Sequence, residues 1–188
     1  MTQSTIKSGT RAIGIAESTD ETADTCYLGA ATVSPNGHID DIEFDTATVG
    51  GTDATSAIKR ILETGLRPDI QYVLISGIAP AWFNIIDLEA VATSVEVPVI
   101  SVSFEASTGL EASISSHFSG TAREKRLSRY DALPRQQPVK INEKTRYIRA
   151  VDIAQPSAAT VVKEFTPAGG RPEPLRVARL AARGLRRL

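Results

Sequence analysis

Two carboxylates stand where hydrolytic chemistry would need them. Glu17 closes the segment that begins with the apolar run Arg11–Ile15, and Asp53 follows the strand-breaking pair Gly50-Gly51. Carboxylates are hard oxygen ligands. Brought together, the pair could hold Mg²⁺ or Mn²⁺, activate water and stabilise the leaving oxygen of a phosphodiester. Each also has a structural reading: Glu17 as a solvated acid of the Glu17-Ser18-Thr19-Asp20 loop, and Asp53 (or Thr52) as a helix N-cap or first-turn acid. Trp82, the single tryptophan, could stack on an exposed base or could cover the core. Asn84 could hydrogen-bond a ligand edge or cap a helix, and Asp87 reads as a partner of a helix dipole.

A second set of candidates is basic. Arg123, Lys125, Arg126 and Arg129 fall on one expected helix over residues 121–130. On the wheel of a second helix, over 174–188, Arg176, Arg179, Arg183, Arg186 and Arg187 share one arc. Val177, Leu180, Ala181 and Gly184 share the neighbouring arc. Guanidinium forks match phosphate oxygens in pairs. The alternative is that these residues neutralise acids elsewhere in the chain. Residues 1–120 carry 5 Lys and Arg against 16 Asp and Glu, whereas 121–188 carry 16 against 6, so a net −1 conceals an acidic part and a basic part. A sequence pI near 6.1 argues against a general DNA binder, which is usually basic throughout.

Other chemistries are excluded by what is missing. A lone cysteine, Cys26, permits no intramolecular disulfide and no cysteine-built zinc site. Two histidines, His38 and His117, make a poor basis for a metal cluster. No Lys-Ser/Thr follows Gly50-Gly51, so there is no P-loop, and Ser76 lies outside any Gly-x-Ser-x-Gly elbow. The chain has no apolar run of membrane-spanning length, and MTQSTIKSGT has no hydrophobic signal core. The expectation is a cytoplasmic protein with no membrane partner.

The elements that must position these residues follow from periodicity. After a polar tail over 1–10, the segments at 11–15, 26–34 and 39–49 read as strands, the last two joined by the turn Ser34-Pro35-Asn36-Gly37. In the third, Ile42, Phe44, Thr46 and Thr48 alternate with Asp41, Glu43 and Asp45, the pattern of a half-buried antiparallel strand. A helical stripe (Ala54, Ala57, Ile58, Ile61, Leu62) ends at Gly65. The strand QYVLIS, a Pro80-containing loop, a helix marked by Ile85, Leu88, Ala92 and Val95, and the strand PVISVS follow. Residues 105–120 could be helix or loop, and Pro134 and Pro138 bound an expected loop. RYIRAVDI reads as a late strand, 156–165 as a short helix and 167–170 as a linker. One α/β domain over 11–188 is expected. A three-strand meander followed by α-β alternation is the order of an RNase H-like core with a mixed sheet. In that arrangement the ends of the first and fourth strands, Ala16-Glu17 and Ser76-Gly77, lie side by side, with Thr52-Asp53 near both.

RAIGIAES, TVGGTDAT, ISGIAPAWFNIID and PEPLRVARLAARGL, in that order between residues 11 and 188, resemble the endonuclease-V-like family of unknown function found largely in archaea. PEPLRVARLA also resembles the closing segment of endonuclease V, which cuts nucleic acid near inosine with a divalent metal. The resemblance implies an aspartate ending the first strand, an acid near the first helix and an Asp-Gly pair after the fourth strand. This chain has Ala16-Glu17 and Ser76-Gly77 instead, and Trp82 stands where a glycine usually precedes Phe-Asn. A serine hydroxyl substitutes poorly for a carboxylate ligand. The resulting expectation is a nucleic-acid-binding protein, directed at deaminated or modified strands, with nuclease activity weak or lost. Arg123, Arg126, Arg129, Arg176, Arg179 and Arg183 would hold the backbone, and Ser76, Gly77, Trp82 and Asn84 would line a pocket. Glu17 and Asp53, the catalytic pair, would keep one Mg²⁺ or Mn²⁺. The alternatives are an active metal-dependent endonuclease and a non-enzymatic protein-interaction or regulatory module.

Overall fold

The computed structural model describes residues 6, 7, 9–20, 22–167 and 169–188; the expected tail over 1–10 lies mostly outside them. β1 (Arg11–Ser18), β2 (Thr25–Val33) and β3 (Ile39–Thr48) form the antiparallel meander. β4 (Ile70–Ser76) adds parallel to β1, and β5 (Val99–Ser103) adds parallel to β4. β7 (Lys144–Val151) and β6 (Gln137–Ile141) complete a seven-stranded mixed sheet of order β3-β2-β1-β4-β5-β7-β6.

Helices cover both faces because the central strands are apolar on both. Ile13, Ile15, Val73 and Ile75 pack on the side of α1 (Ala54–Gly65) and α3 (Leu88–Val95), followed by α4 (Glu111–His117) and α5 (Gly120–Asp131). The alternate residues Ala12, Leu74, Ile100 and Val102 pack beneath α6 (Gln155–Glu164) and α7 (Glu173–Leu185). Burying each such branched side chain contributes about 1.5–3 kcal/mol. Between β4 and α3 lies a short turn, α2 (Pro80–Phe83).

α7 sits unusually close to the sheet. A Cβ on Gly14 would overlap Pro174, and one on Gly29 would overlap the carbonyl of Ala178. These two glycines therefore admit a helix whose buried face is Pro174, Leu175, Val177, Ala178 and Ala182. That corrects the expected apolar arc, since Leu180 and Gly184 are exposed. Over Gly29 the helix presents the small Ala178 and Ala182, while Leu175 packs further along, in the core beneath α6. The register also leaves the arginine side of α7 over the ends of β1 and β4.

Two other expectations change. Residues 137–141 are a strand rather than part of a loop, and Pro138 is tolerated because β6 is at the edge of the sheet and pairs only with β7. In β3 the alternation holds but its facing is reversed. Asp45 turns to Arg60 of α1 at 2.8 Å, while Ile42 and Phe44 are exposed. Ala47, on the same face as Asp45, is buried in the core with α1. Residues 111–117 resolve to helix within the ambiguous stretch.

Candidate nucleic-acid interface

Where β1 and β4 end, alternation turns Ala16 toward α7 and Glu17 away from it. Ser76, on the α7 side of β4, accepts a hydrogen bond from Nη1 of Arg171 at 3.3 Å. Arg179, Arg183 and Arg186, each about a turn further along α7, line the cavity that contains Ser76, Glu17, Ser18 and Thr19, of about 310 Å³. Arg186 is committed to Asp20 and to the carbonyl of Thr19. Arg179 and Arg183 have no acceptor among the described residues. Gly77 follows with φ +75°, and nothing lies within 4 Å of where a Cβ would be, so the backbone here is open.

A second cavity of about 500 Å³ shares Ser76 and Arg179 with the first and extends along the ends of β4 and β5 to Phe104, Tyr130 and Arg149. The guanidinium of Arg171 lies 3.7 Å from the Phe104 ring centroid, and Arg146 lies 5.4 Å from it. Stacking on Phe104 fixes the Arg171 plane. Burial, and then the nearby charges of Arg179 and Arg146, lower the Arg171 pKa from its ordinary value. The cleft is thus a concentration of positive charge.

Glu17 is engaged through one of its oxygens. Oε2 of Glu17 accepts from the Ala81 N–H at 2.8 Å, the Thr19 hydroxyl at 2.8 Å and the Cys26 thiol at 3.2 Å. Burial pushes the Cys26 thiol up to about 12, so it stays protonated and donates. What Glu17 holds is an unusual turn. Ala81, Trp82 and Phe83 all have positive φ, a conformation that costs a non-glycine residue about 1–2 kcal/mol. The turn is pinned by Glu17, by Gly50 N–H donating to the Ala81 carbonyl at 2.7 Å, and by Arg126 donating to the Phe83 carbonyl at 3.2 Å. It presents Trp82, 51% exposed, against Phe83, His117 and Phe118 with ring centroids 5.4–5.8 Å apart. The hollow beside Trp82 shares Glu17 and Thr19 with the arginine cavity.

Asp53 belongs to a different, buried network. Its carboxylate accepts from Thr48 N–H at 3.1 Å, the Thr48 hydroxyl at 2.8 Å and Asn84 Nδ2 at 2.7 Å. Burial opposes its charge, but the bonds from Asn84 and Thr48 prevail and hold its pKa below the ordinary value. Asp53 occupies the N-cap position of α1 without capping it; Oδ1 of Asn84 accepts the Ala54 N–H at 2.9 Å instead. Asn84 therefore caps a helix, though not the one that follows it. Asp87 caps α3 by accepting from Ala90 N–H at 2.9 Å. Arg126, only 4% exposed, donates to the carbonyls of Gly50, Gly51, Phe83 and Ala122 and lies over Phe118. Arg129 donates to the Thr52 carbonyl at 2.9 Å.

The structure thus gathers Ser76, Gly77, Arg179 and Arg183 in one cleft, with Trp82 beside it. It places Asp53, Asn84, Arg126 and Arg129 in the support beneath α1. Arg123 is exposed on α5, and Arg176 is paired with Glu173 at 2.5 Å. Arg171 and Phe104 were missed by the sequence reading. Arg171 falls directly after the residues read as a linker. Phe104 follows a parallel strand whose carboxyl end opens into a crevice, which is the signal that marks it. Among the ion pairs of the described residues only Arg186–Asp20 joins the acidic part to the basic part, so mutual docking does not absorb the charge split.

A divalent cation does not fit this donor set. The positions facing α7 are Ala16 and Ser76, one oxygen of Glu17 and both of Asp53 accept the chain's own donors, and three guanidiniums line the cavity. Among the described residues no group of three or more His, Cys, Asp or Glu side chains converges, and no helix is long and apolar enough to cross a membrane.

A family model described as Endonuclease dU matches residues 8–186. A UPF0215 protein of Pyrobaculum calidifontis is 33% identical over 175 residues, which cover 93% of this chain and 96% of that protein. The crystal structure of a protein of unknown function from Archaeoglobus fulgidus superposes with a TM-score of 0.82 at 22% identity, covering 94% of this chain and 98% of the other. Endonuclease V of Ciona intestinalis, crystallised with a 24mer DNA containing an inosine, gives a TM-score of 0.61 at 14% identity, covering 95% and 86%. The mixed sheet and its covering helices are the expected RNase H-like fold.

Proposed function

Because the chain belongs to the Endonuclease dU family, we propose that it binds nucleic acid carrying a deaminated or otherwise modified base. In this reading its residues supply recognition, with nuclease activity weak or lost. The observation that carries the proposal is the cleft at the ends of β1, β4 and β5. There Arg171 bonds Ser76, where the family resemblance implies an acid, and Arg179 and Arg183 line the adjoining cavities. Guanidiniums aimed at open space favour phosphate oxygens. Trp82 on one side and the Phe104 cavity on the other offer apolar surface for bases adjacent to the held phosphate. The DNA-bound state of the structurally similar endonuclease V and the family's description support this class of ligand.

The test is a titration of oligonucleotides that contain uracil, inosine or only ordinary bases, as DNA and as RNA, with Mg²⁺, with Mn²⁺ or with EDTA. Retention and strand scission are scored together. Binding that weakens steeply with salt, with preference for a modified strand and no cutting, is expected. Cleavage beside the modified base, lost in Glu17→Gln, would show an active metal-dependent nuclease. No binding even at low salt would leave the family's fold serving a protein partner.

A further inference from the structure

We infer that the cleft at the ends of β1 and β4 is a seat for a phosphate monoester, held by guanidiniums without a divalent cation. The inference deepens the nucleic-acid reading, on which it rests for the source of the ligand: the terminal phosphate of a strand.

Charge is the first argument. Arg171 bonds the Ser76 hydroxyl, Arg179 shares both cavities with Ser76 and Arg183 lines the smaller one, and none has a carboxylate partner among the described residues. Arg186 is already neutralised by Asp20. Against these three cations stands Glu17, the carboxylate on the smaller cavity's lining, while at the far end of the larger one Arg149 offsets the exposed Glu105. Two positive charges are left in excess. A phosphate monoester carries about −1.5 to −2 at neutral pH and matches that excess, whereas an internal diester carries one negative charge and leaves part of it uncompensated.

Geometry is the second. Arg171 is clamped flat on Phe104, which leaves its edge and N–H groups for Ser76 and the cavity. Arg179 and Arg183 are one turn apart on α7, so both reach the same side of the seat. α7 itself is fixed to within a methyl group by Gly14 and Gly29. Ser76 can donate its hydroxyl proton while accepting from Arg171. The result is a set of guanidinium and hydroxyl donors that outnumbers the carboxylate of Glu17 on the same lining. A carboxylate at residue 76 would invert that preference.

The experiment compares one short strand with a 5′-phosphate, with a 3′-phosphate and with hydroxyl ends, labelled internally, in EDTA and again with Mg²⁺. One phosphorylated form is expected to bind about tenfold tighter than the hydroxyl-ended strand, consistent with one or two charge-assisted hydrogen bonds. Mg²⁺ should add nothing. Arg179→Ala and Arg183→Ala should each erase the preference while retaining the thermal transition of the parent. Ser76→Asp, which places its charge in the open cleft, should erase it too. Equal affinity for all three strands in EDTA, or a preference that appears only with Mg²⁺, would overturn the inference and leave nucleic-acid binding standing. If no strand binds but inorganic phosphate raises the melting temperature of the parent and not of Arg179→Ala, the nucleic-acid reading fails. The seat then stands, as one for a small phosphate. Failure of both probes would overturn both.

Discussion

The Asn84 network and the Arg171 cleft are both polar, both built from distant parts of the chain, and opposite in how they are satisfied. Beneath α1, Asn84 has no exposed surface and uses Oδ1 for the Ala54 N–H and Nδ2 for Thr48 and Asp53. Arg126 spends its guanidinium on four carbonyls. In the cleft, Arg171 finds one hydroxyl, and Arg179 and Arg183 find no acceptor among the described residues. A buried polar group that the chain itself completes stabilises the fold. Charged groups left with their bonds unmade are disposed for something that is not part of the chain. The difference separates architecture from function among side chains that look alike in the sequence.

The largest effect should come from breaking the completed network. Asn84→Ala strands the buried Ala54 N–H and takes a donor from the Thr48 carbonyl and from the half-buried Asp53, and is expected to cost about 3 kcal/mol. Urea denaturation reads that loss directly. Arg126→Lys should also destabilise, because a single ammonium cannot serve four carbonyls or replace the contact with Phe118. If Arg126→Lys unfolds at the parent's urea concentration, the guanidinium is not the strut described here.

The cleft should behave in the reverse way. Arg179→Ala and Arg183→Ala remove exposed, unpaired charge, so stability should move by no more than about 0.5 kcal/mol. The salt dependence of nucleic-acid binding should instead fall by about one unit of slope for each phosphate contact removed. Measuring log affinity against log salt for each variant tests this. A parent-like slope in both would remove the cleft from the binding surface and weaken the contrast between the two regions.

Periodicity made much of the fold legible. The meander, the parallel pair β4 and β5, and the helices α1 and α3 have apolar patterns that local physics reads, and α5 was legible as a basic helix. β3 was misjudged because its large apolar residues Ile42 and Phe44 are exposed, while Asp45 and the small, buried Ala47 lie on the inward face. Half the site was equally legible: Ser76, Arg179 and Arg183 follow from strand ends and a helical wheel. Arg126 and Asn84 resisted, because a residue type cannot say whether its bonds are met by the chain or by a ligand. That answer depends on carbonyls of Gly50, Gly51 and Thr48, which have no signature in the sequence.

The smallest effect, and the finest test of the contrast, is acid titration of Asp53. Its pKa is held below the ordinary value, against burial, by Asn84 and Thr48. The stabilisation it contributes is therefore fully present above the unfolded carboxylate pKa of about 3.9, and disappears as pH falls through the lower folded value. Asp53→Asn should be less stable than the parent at pH 7, and the gap should narrow as pH approaches 3. Arg179→Ala should show no such convergence, since guanidiniums do not titrate there. Urea midpoints for the three proteins at pH 7, 5 and 3 decide the matter. A constant gap for Asp53→Asn would mean that its carboxylate gains nothing from Asn84, and that the network is held by neutral hydrogen bonds alone.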